Sequence, residues 1–274
     1  MTIQGSRIYD NHRTRPLNSH AEIKGSGADE PNRPAHIAIL DNEIFHTSHP
    51  PGGNFQGVDC NRCDDFVIRG NHIHSINTPT EQPASYYDRG SCIQMKSLSR
   101  RTIIERNRIE NCHIGIVYGG EGMETPEHEG GVVRNNLIIG NHDIGIVLAD
   151  VAGGLVLHNT LMRNGRSILL GKHRSRQAAR NEALIANNLM DQPIEQANHG
   201  GTTTMGNLVI DPNDADSWFV NPADHDFRLT GRAPGVIDRA APILHRLTVD
   251  HDGTKRPQGG APDIGAFEYM PAVD

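Results

Sequence analysis

Aromatic side chains are scarce in this 274-residue chain, at 4% of the total with a single tryptophan. That argues against a core organised around aromatic clusters. No run of about 18 apolar residues occurs, so nothing in the chain reads as a membrane-spanning helix. No long block of one charge sign occurs either, and the formal net charge is -7. Nucleic acid is thereby disfavoured as a main partner, although a local basic groove on an acidic protein still suits an acidic polysaccharide. The opening stretch MTIQGSRIYDNHRTRP lacks the apolar segment of a signal peptide. Only four cysteines are present. Cys60 and Cys63 make a CxxC, but no second CxxC or nearby histidine pair completes a zinc set. The cysteines are expected to be mostly buried thiols lining a core, and two of them could bridge in an oxidising compartment.

What the chain does have is Gly, Asn, Asp and His in quantity, with Ile, Leu and Val in short bursts. This mixture suits many short strands joined by polar turns. The bursts repeat. TIQGSRIYDN, AILDNEIFHT, VIRGNHIHSI, IIERNRIENC, VVRNNLIIGN, LVLHNTLMRN, LIANNLMDQP and TTMGNLVIDP align with one another. At a fixed place they carry Ser6, Asn42, Asn71, Asn107, Asn136, Asn159, Asn188 and Asn207, spaced by 36, 29, 36, 29, 23, 29 and 19 residues. A shortest unit near 20–23 residues, with insertions in the longer turns, predicts a coil of a parallel β-helix.

The fold expected is therefore all-β, a right-handed parallel β-helix of about eight coils over residues 1–210, with an irregular capping segment over 211–274 that covers the open end. Ile8, Ile44, Ile73, Ile109, Ile138, Leu161, Leu189 and Val209 are predicted to stack inside it. The asparagines are placed at a corner, where Asn tolerates the left-handed conformation and its amide can bond the neighbouring coil in a ladder. A coil begins already at Thr2, so either a longer chain or some other element is expected to cover that edge, and an exported protein, secreted or periplasmic, with its signal upstream is expected.

Long insertions at residues 12–34, 47–56, 77–90 and 119–130 put a ligand groove on the N-terminal coils. The strands AEIK (21–24), VDCN (58–61), IQMK (93–96), IVYG (116–119) and IVLA (146–149) align as one wall. Their first and third residues point inward. One outer column then reads Glu22, Asp59, Gln94, Val117 and Val147. A second reads Lys24, Asn61, Lys96, Gly119 and Ala149. The polar ends of both columns fall on the first three coils. A lysine among carboxylates and further cations matches β-elimination from a uronic acid. There a base removes the proton beside a neutralised carboxylate, and positive neighbours such as Arg100 and Arg101 would keep the lysine deprotonated. Calcium would find oxygen ligands in Glu22, Asp59 and Asn61. His72 and His74 lie on one strand face and could share a substrate or a metal. Tyr86 and Tyr87, in the 77–90 insertion, are placed to stack on sugar rings. The segment DHDG (250–253) lacks the distal Glu of a calcium loop and reads as a turn.

Through these repeats, and through SWFVNPADHDFRLTGRAPGVIDRA and the ending DHDGTKRPQGGAPDIGAFEY, the chain resembles the right-handed parallel β-helix superfamily of bacterial carbohydrate-active proteins. In layout it is most similar to lyases of the chondroitinase-B and alginate-lyase type. That resemblance implies a lysine base, an arginine and often calcium held by acidic residues and an asparagine. Lys96 matches the lysine, and Arg101 or Arg106 the arginine. Near Lys96, however, Gln94 stands where an acidic ligand would be. The expected activity is a polysaccharide lyase on a uronate-containing polymer, acting as a monomer, with no nucleic-acid or membrane partner. A glycoside hydrolase, a C5-epimerase and a non-catalytic binding module are the alternatives.

Overall fold

The computed structural model describes residues 1–11, 20–28, 32–48, 55–77, 90–120, 126–171, 181–196, 200–245 and 247–271. Every strand pairing between coils is parallel, and three sheets form the walls of one solenoid. The second sheet shows its logic. Arg7–Tyr9, Glu43–Phe45, His72–His74, Arg108–Glu110, Leu137–Ile139, Thr160–Met162, Leu189–Met190 and Leu208–Val209 lie side by side, one per coil. Eight coils result, each also giving the first sheet a strand such as Ile103–Glu105. The first seven coils add one to the third sheet, such as Ser91–Lys96.

Three-residue strands can hold this shape because their middle residues are apolar and stack on the next coil. Ile8, Ile44, Ile73, Ile109, Ile138 and Leu161 pair in register as expected. The seventh place belongs to Met190 rather than Leu189. Leu189 faces the other way, because one residue of slip turns a strand side chain to the opposite face.

The corner amides form an unbroken chain of hydrogen bonds. The Asn71 N–H donates to Asn107 Oδ1 at 2.9 Å, and the Asn107 N–H to Asn136 Oδ1 at 3.0 Å. The same relation runs from Ser6 through Asn42 to Asn207. The left-handed residue is not the asparagine, however, but the one before it: Gly5, Asp41, Gly70, Arg106, Asn135, His158, Asn187 and Gly206 all have φ between 52° and 70°. This division is physical. One residue makes the bend, and the next aims its amide along the solenoid. A shorter run of the same kind, Cys112 to Asn141 to Asn164, marks a second corner that the repeat alignment did not reveal.

All four cysteines are buried, and they are paired rather than free: Cys60 with Cys63, and Cys92 with Cys112. Gly25 stacks directly on Cys60, where a side chain would collide with both sulfurs of the first pair.

The C-terminal segment does not close the end of the solenoid. Thr203, Thr204 and Met205 on the last coil stay exposed. The segment instead lies along the flank, over the outer face of the second sheet. There Leu137, Ile139, Met162 and Leu189 pack against Phe219, Phe227, Val236, Ile264 and Phe267. The outer positions of this sheet change from Arg7, Glu43, His72 and Arg108 to leucine at 137 and 189, and that apolar strip has to be covered. The left-handed corner residues hold the segment in place. Arg106 Nε donates to the His251 carbonyl at 2.9 Å, Asn135 Nδ2 to that of Val249 at 2.8 Å, and Asn187 Nδ2 to that of Ala241 at 3.0 Å. Arg256, buried against Glu268 at 2.6 Å, also donates to the carbonyls of Asp263 and Gly265.

Two histidines are sealed into this structure. His128 stacks on Tyr118 with centroids 4.0 Å apart, and His158 contacts the Asp263 carbonyl at 3.1 Å. Burial drives both imidazoles down to about 3, with Arg256 adding to the effect at His158. Between pH 3 and 6.5 the unfolded chain then binds protons that the folded chain refuses, so stability falls as pH drops below 6.5. Each histidine contributes on the order of 1 kcal/mol per pH unit. Asp263 and Glu268, raised by burial, offset part of this at the acid end. The urea midpoint should be lower at pH 5 than at pH 7, and His158→Gln should flatten the slope; equal midpoints would refute the assignment.

Candidate active site

The third sheet carries the predicted polar wall. Its strands His20–Ser26, Phe55–Asn61, Ser91–Lys96, Ile114–Gly119 and Ile144–Ala149 are neighbours. Inward and outward residues alternate as expected: Val58, Cys60, Ile93, Met95, Ile116, Tyr118, Ile146 and Leu148 belong to the core. The first strand, however, is shifted by two residues. Lys24, not Glu22, stands opposite Asp59, and Ser26, not Lys24, opposite Asn61. The outer columns are thus Lys24–Asp59–Gln94–Val117–Val147 and Ser26–Asn61–Lys96. A shift of two preserves the face and changes the neighbours.

That shift dissolves the expected Glu22–Asp59 pair. Glu22 lies against His46 at 3.1 Å and accepts the Asn11 N–H at 3.0 Å. Asp59 is instead shared by two lysines, Lys24 Nζ at 2.8 Å and Lys96 Nζ at 3.6 Å. Glu22, Asp59 and Asn61 therefore do not fit calcium as one ligand set. Their carboxylates are engaged elsewhere, Glu22 by His46 and Asp59 by two lysine nitrogens. A hydrolase, which needs two carboxylates facing each other across a bond, loses the same pair.

The wall is also not open to solvent as a groove. Lys96 is 2% exposed, and Gln56, Asp59, Ser91 and Gln94 are fully buried. Further along the same face, Ile114, Val117, Ile144, Val147, Ala149 and Leu169 form a second apolar cluster outside the core. Pointing away from a solenoid core is thus not the same as pointing into water. Exposure returns at the first-coil end of the columns, where the Lys24 side chain is 37% exposed. Inside, neither polar atom of Gln94 finds a hydrogen-bond partner among the described residues, and the Lys96 contact is too long to give Asp59 Oδ1 one. Buried polar groups are nearly always paired, so such a cluster is a place where a polar ligand or water is accommodated.

The arginines expected beside Lys96 are elsewhere. Immediately after Lys96 the chain turns through Ser97 and Leu98, both with positive φ. Arg100 therefore pairs with Glu129 at 3.6 Å, and Arg101 forms a bidentate pair with Asp65 at 2.7 and 2.8 Å. Arg106 is a corner residue bound to the C-terminal segment. None of the three takes the place of the expected substrate arginine. Tyr86 and Tyr87 lie outside the described residues, as do most of the predicted insertions. Gln56 and Ser91, which lie ahead of the predicted strand starts, pair with each other three residues before Asp59 and Gln94.

A family model described as the right handed beta helix region matches residues 1–189. The chain belongs to the right-handed β-helix family. A search among curated proteins finds no match. Among solved structures, this β-helix protein is similar to the pectate lyase Pel9A, with 13% identity and a TM-score of 0.59 over 98% of this chain and 70% of that one. A complex of XylC with xylose is 19% identical, with a TM-score of 0.41 over 60% of this chain and 22% of that one. The Dettilon tailspike protein is 13% identical, with a TM-score of 0.34 over 77% of this chain and 61% of that one.

On the second sheet of the β-helix, His72 and His74 do share a face, their ring centroids 4.3 Å apart. Neighbouring coils add Glu43 and Glu110, in register with them. His72 Nε2 lies 2.7 Å from Glu110 Oε1, and His225 reaches Glu110 Oε2 at 3.1 Å from the C-terminal segment. Burial pushes the Glu110 carboxyl up, but hydrogen bonds from His72, Arg108 and His225 outweigh it and hold it well below the usual range. His74 is lowered by burial and by the neighbouring His72. The stacked positions of Glu43 and Glu110 were legible in the repeat alignment; His225 was not.

Proposed function

We propose that this β-helix protein is a carbohydrate-active enzyme that cleaves an acidic, uronate-containing polysaccharide by β-elimination. The observation that carries the reading is the placement of Lys96 3.6 Å from Asp59, beside a buried Gln94 amide with no hydrogen-bond partner among the described residues. The pectate-lyase likeness supports it at the level of the fold alone.

In this reading Lys96, as the free amine, takes the proton from the carbon beside the substrate carboxylate. The C–H electron pair becomes the new double bond, and the glycosidic oxygen leaves with a proton from solvent. Asp59 is a positioning residue that holds Lys96 in line. Lys24, at the exposed end of the column, is placed to meet the substrate carboxylate where a polymer end would enter, and the buried Gln94 amide beyond it to take a hydroxyl or carboxylate oxygen. No step depends on calcium. Two disulfides in the coil core support residence in an oxidising compartment, extracellular or periplasmic. Among the described residues no helix is long and apolar enough to cross a membrane.

The test is incubation with alginate, chondroitin and pectate, followed by the ultraviolet absorbance of the unsaturated product. Absorbance that rises with one of them supports elimination. No rise with any uronate polymer would sink it.

A further inference from the structure

We infer that the outer face of the second sheet holds a transition-metal site, formed by Glu43, His72 and His74 and suited to zinc. One ligand atom of each of these three residues lies within 4.8 Å of the others. Among the described residues they form the one such group of three His, Cys, Asp or Glu side chains. Two imidazoles and a carboxylate are the donors zinc selects when it keeps a further position open. With zinc–ligand bonds of about 2.0–2.2 Å, the three atoms would have to draw in by roughly 1 Å, within the reach of side-chain rotation.

The surroundings are arranged to present these donors. Phe45 stacks on the His74 ring with centroids 5.0 Å apart and planes 7° from parallel, and Tyr9 stacks on Phe45 in turn. Arg7 Nε holds Oε2 of Glu43 at 2.5 Å, which leaves Oε1 facing His74 at 3.5 Å. Glu110 grips Nε2 of His72, the carboxylate–histidine relation that orients a metal-binding ring. Beside His74 lies a cavity of about 360 Å³, bordered also by Ser75, Glu110 and His225. It leaves room for a water or a small ligand next to the His74 donor. The site is on a different wall from Lys96 and does not depend on the elimination chemistry.

Zinc alone, titrated by calorimetry into tag-free protein stripped with a chelator, should bind one tight equivalent per chain. Its affinity should fall at least tenfold in His74→Gln and in Glu43→Gln, with circular dichroism checking that each variant is folded. Lys96→Ala should bind zinc unchanged. Glu43 is partly exposed and glutamine is its isostere, so that variant keeps the test open if His74→Gln is unstable. No tight equivalent, or an affinity undiminished in either folded variant, would overturn the site.

Discussion

Replacing Asn107 by alanine should destabilise the protein by about 2–5 kcal/mol, a large share of the roughly 5–15 kcal/mol that holds a typical domain folded. Asn107 is fully buried. Its Oδ1 accepts the Asn71 N–H and Asn71 Nδ2, and its own Nδ2 donates to the Ile68 carbonyl and to Asn136 Oδ1. Alanine removes all four bonds. It strands the Asn71 N–H where water cannot reach, and an unmet buried donor costs about 1–3 kcal/mol by itself. Asn107→Asp should be at least as damaging, because a carboxylate oxygen would then face the Ile68 carbonyl. Asn207→Ala should cost less, since Asn207 ends the run and is only partly buried. Urea denaturation measures this as a shift of midpoint at constant slope. A midpoint for Asn107→Ala within the scatter of surface variants would mean that the amide run is not a source of stability.

Lys96→Ala should lower turnover on the responsive uronate polymer by about 10²–10⁴-fold, the usual contribution of a positioned general base. Lys96→Arg should not restore it, because a guanidinium does not give up its proton near neutral pH. Polymer affinity should change far less than turnover, since Lys24 and Gln94 remain to hold the substrate. The folded state should survive, because Asp59 keeps Lys24 at 2.8 Å. Asp59→Asn should reduce turnover while leaving Lys96 in place but less well aimed. If Lys96→Ala turns over at the wild-type rate, Lys96 is not the base and the elimination site lies elsewhere on the solenoid.

The coil was legible because its chemistry repeats. Ile44, Ile73 and Ile109 sit at one position relative to Asn42, Asn71 and Asn107, and stacking identical groups one coil apart is what the sheets require. Alternation likewise identified Asp59, Gln94 and Lys96 as outward residues, because side-chain parity depends only on the backbone pleat. The partners of those residues were harder to read. Glu22 and Lys24 share a face, so no pattern of apolar residues distinguishes which one pairs with Asp59. Arg101 looked adjacent to Lys96 in sequence, yet a turn of two left-handed residues sends it to Asp65. The C-terminal segment was recognised as a cover but placed on the wrong surface. The apolar strip it covers is assembled from Leu137, Ile139, Met162 and Leu189, which are separated in the chain by whole coils.

By itself, then, the sequence determined the solenoid, its eight turns and the face on which each strand residue lies, because these follow from local periodicity. Only the tertiary structure decided which charges meet: Asp59 with two lysines, Glu22 with His46, and His72 and His74 with Glu43 and Glu110. It also decided that the Lys96 wall is buried. Pairing and burial depend on the register between coils and on what packs over a face, and insertions of unequal length between coils leave both outside any repeat.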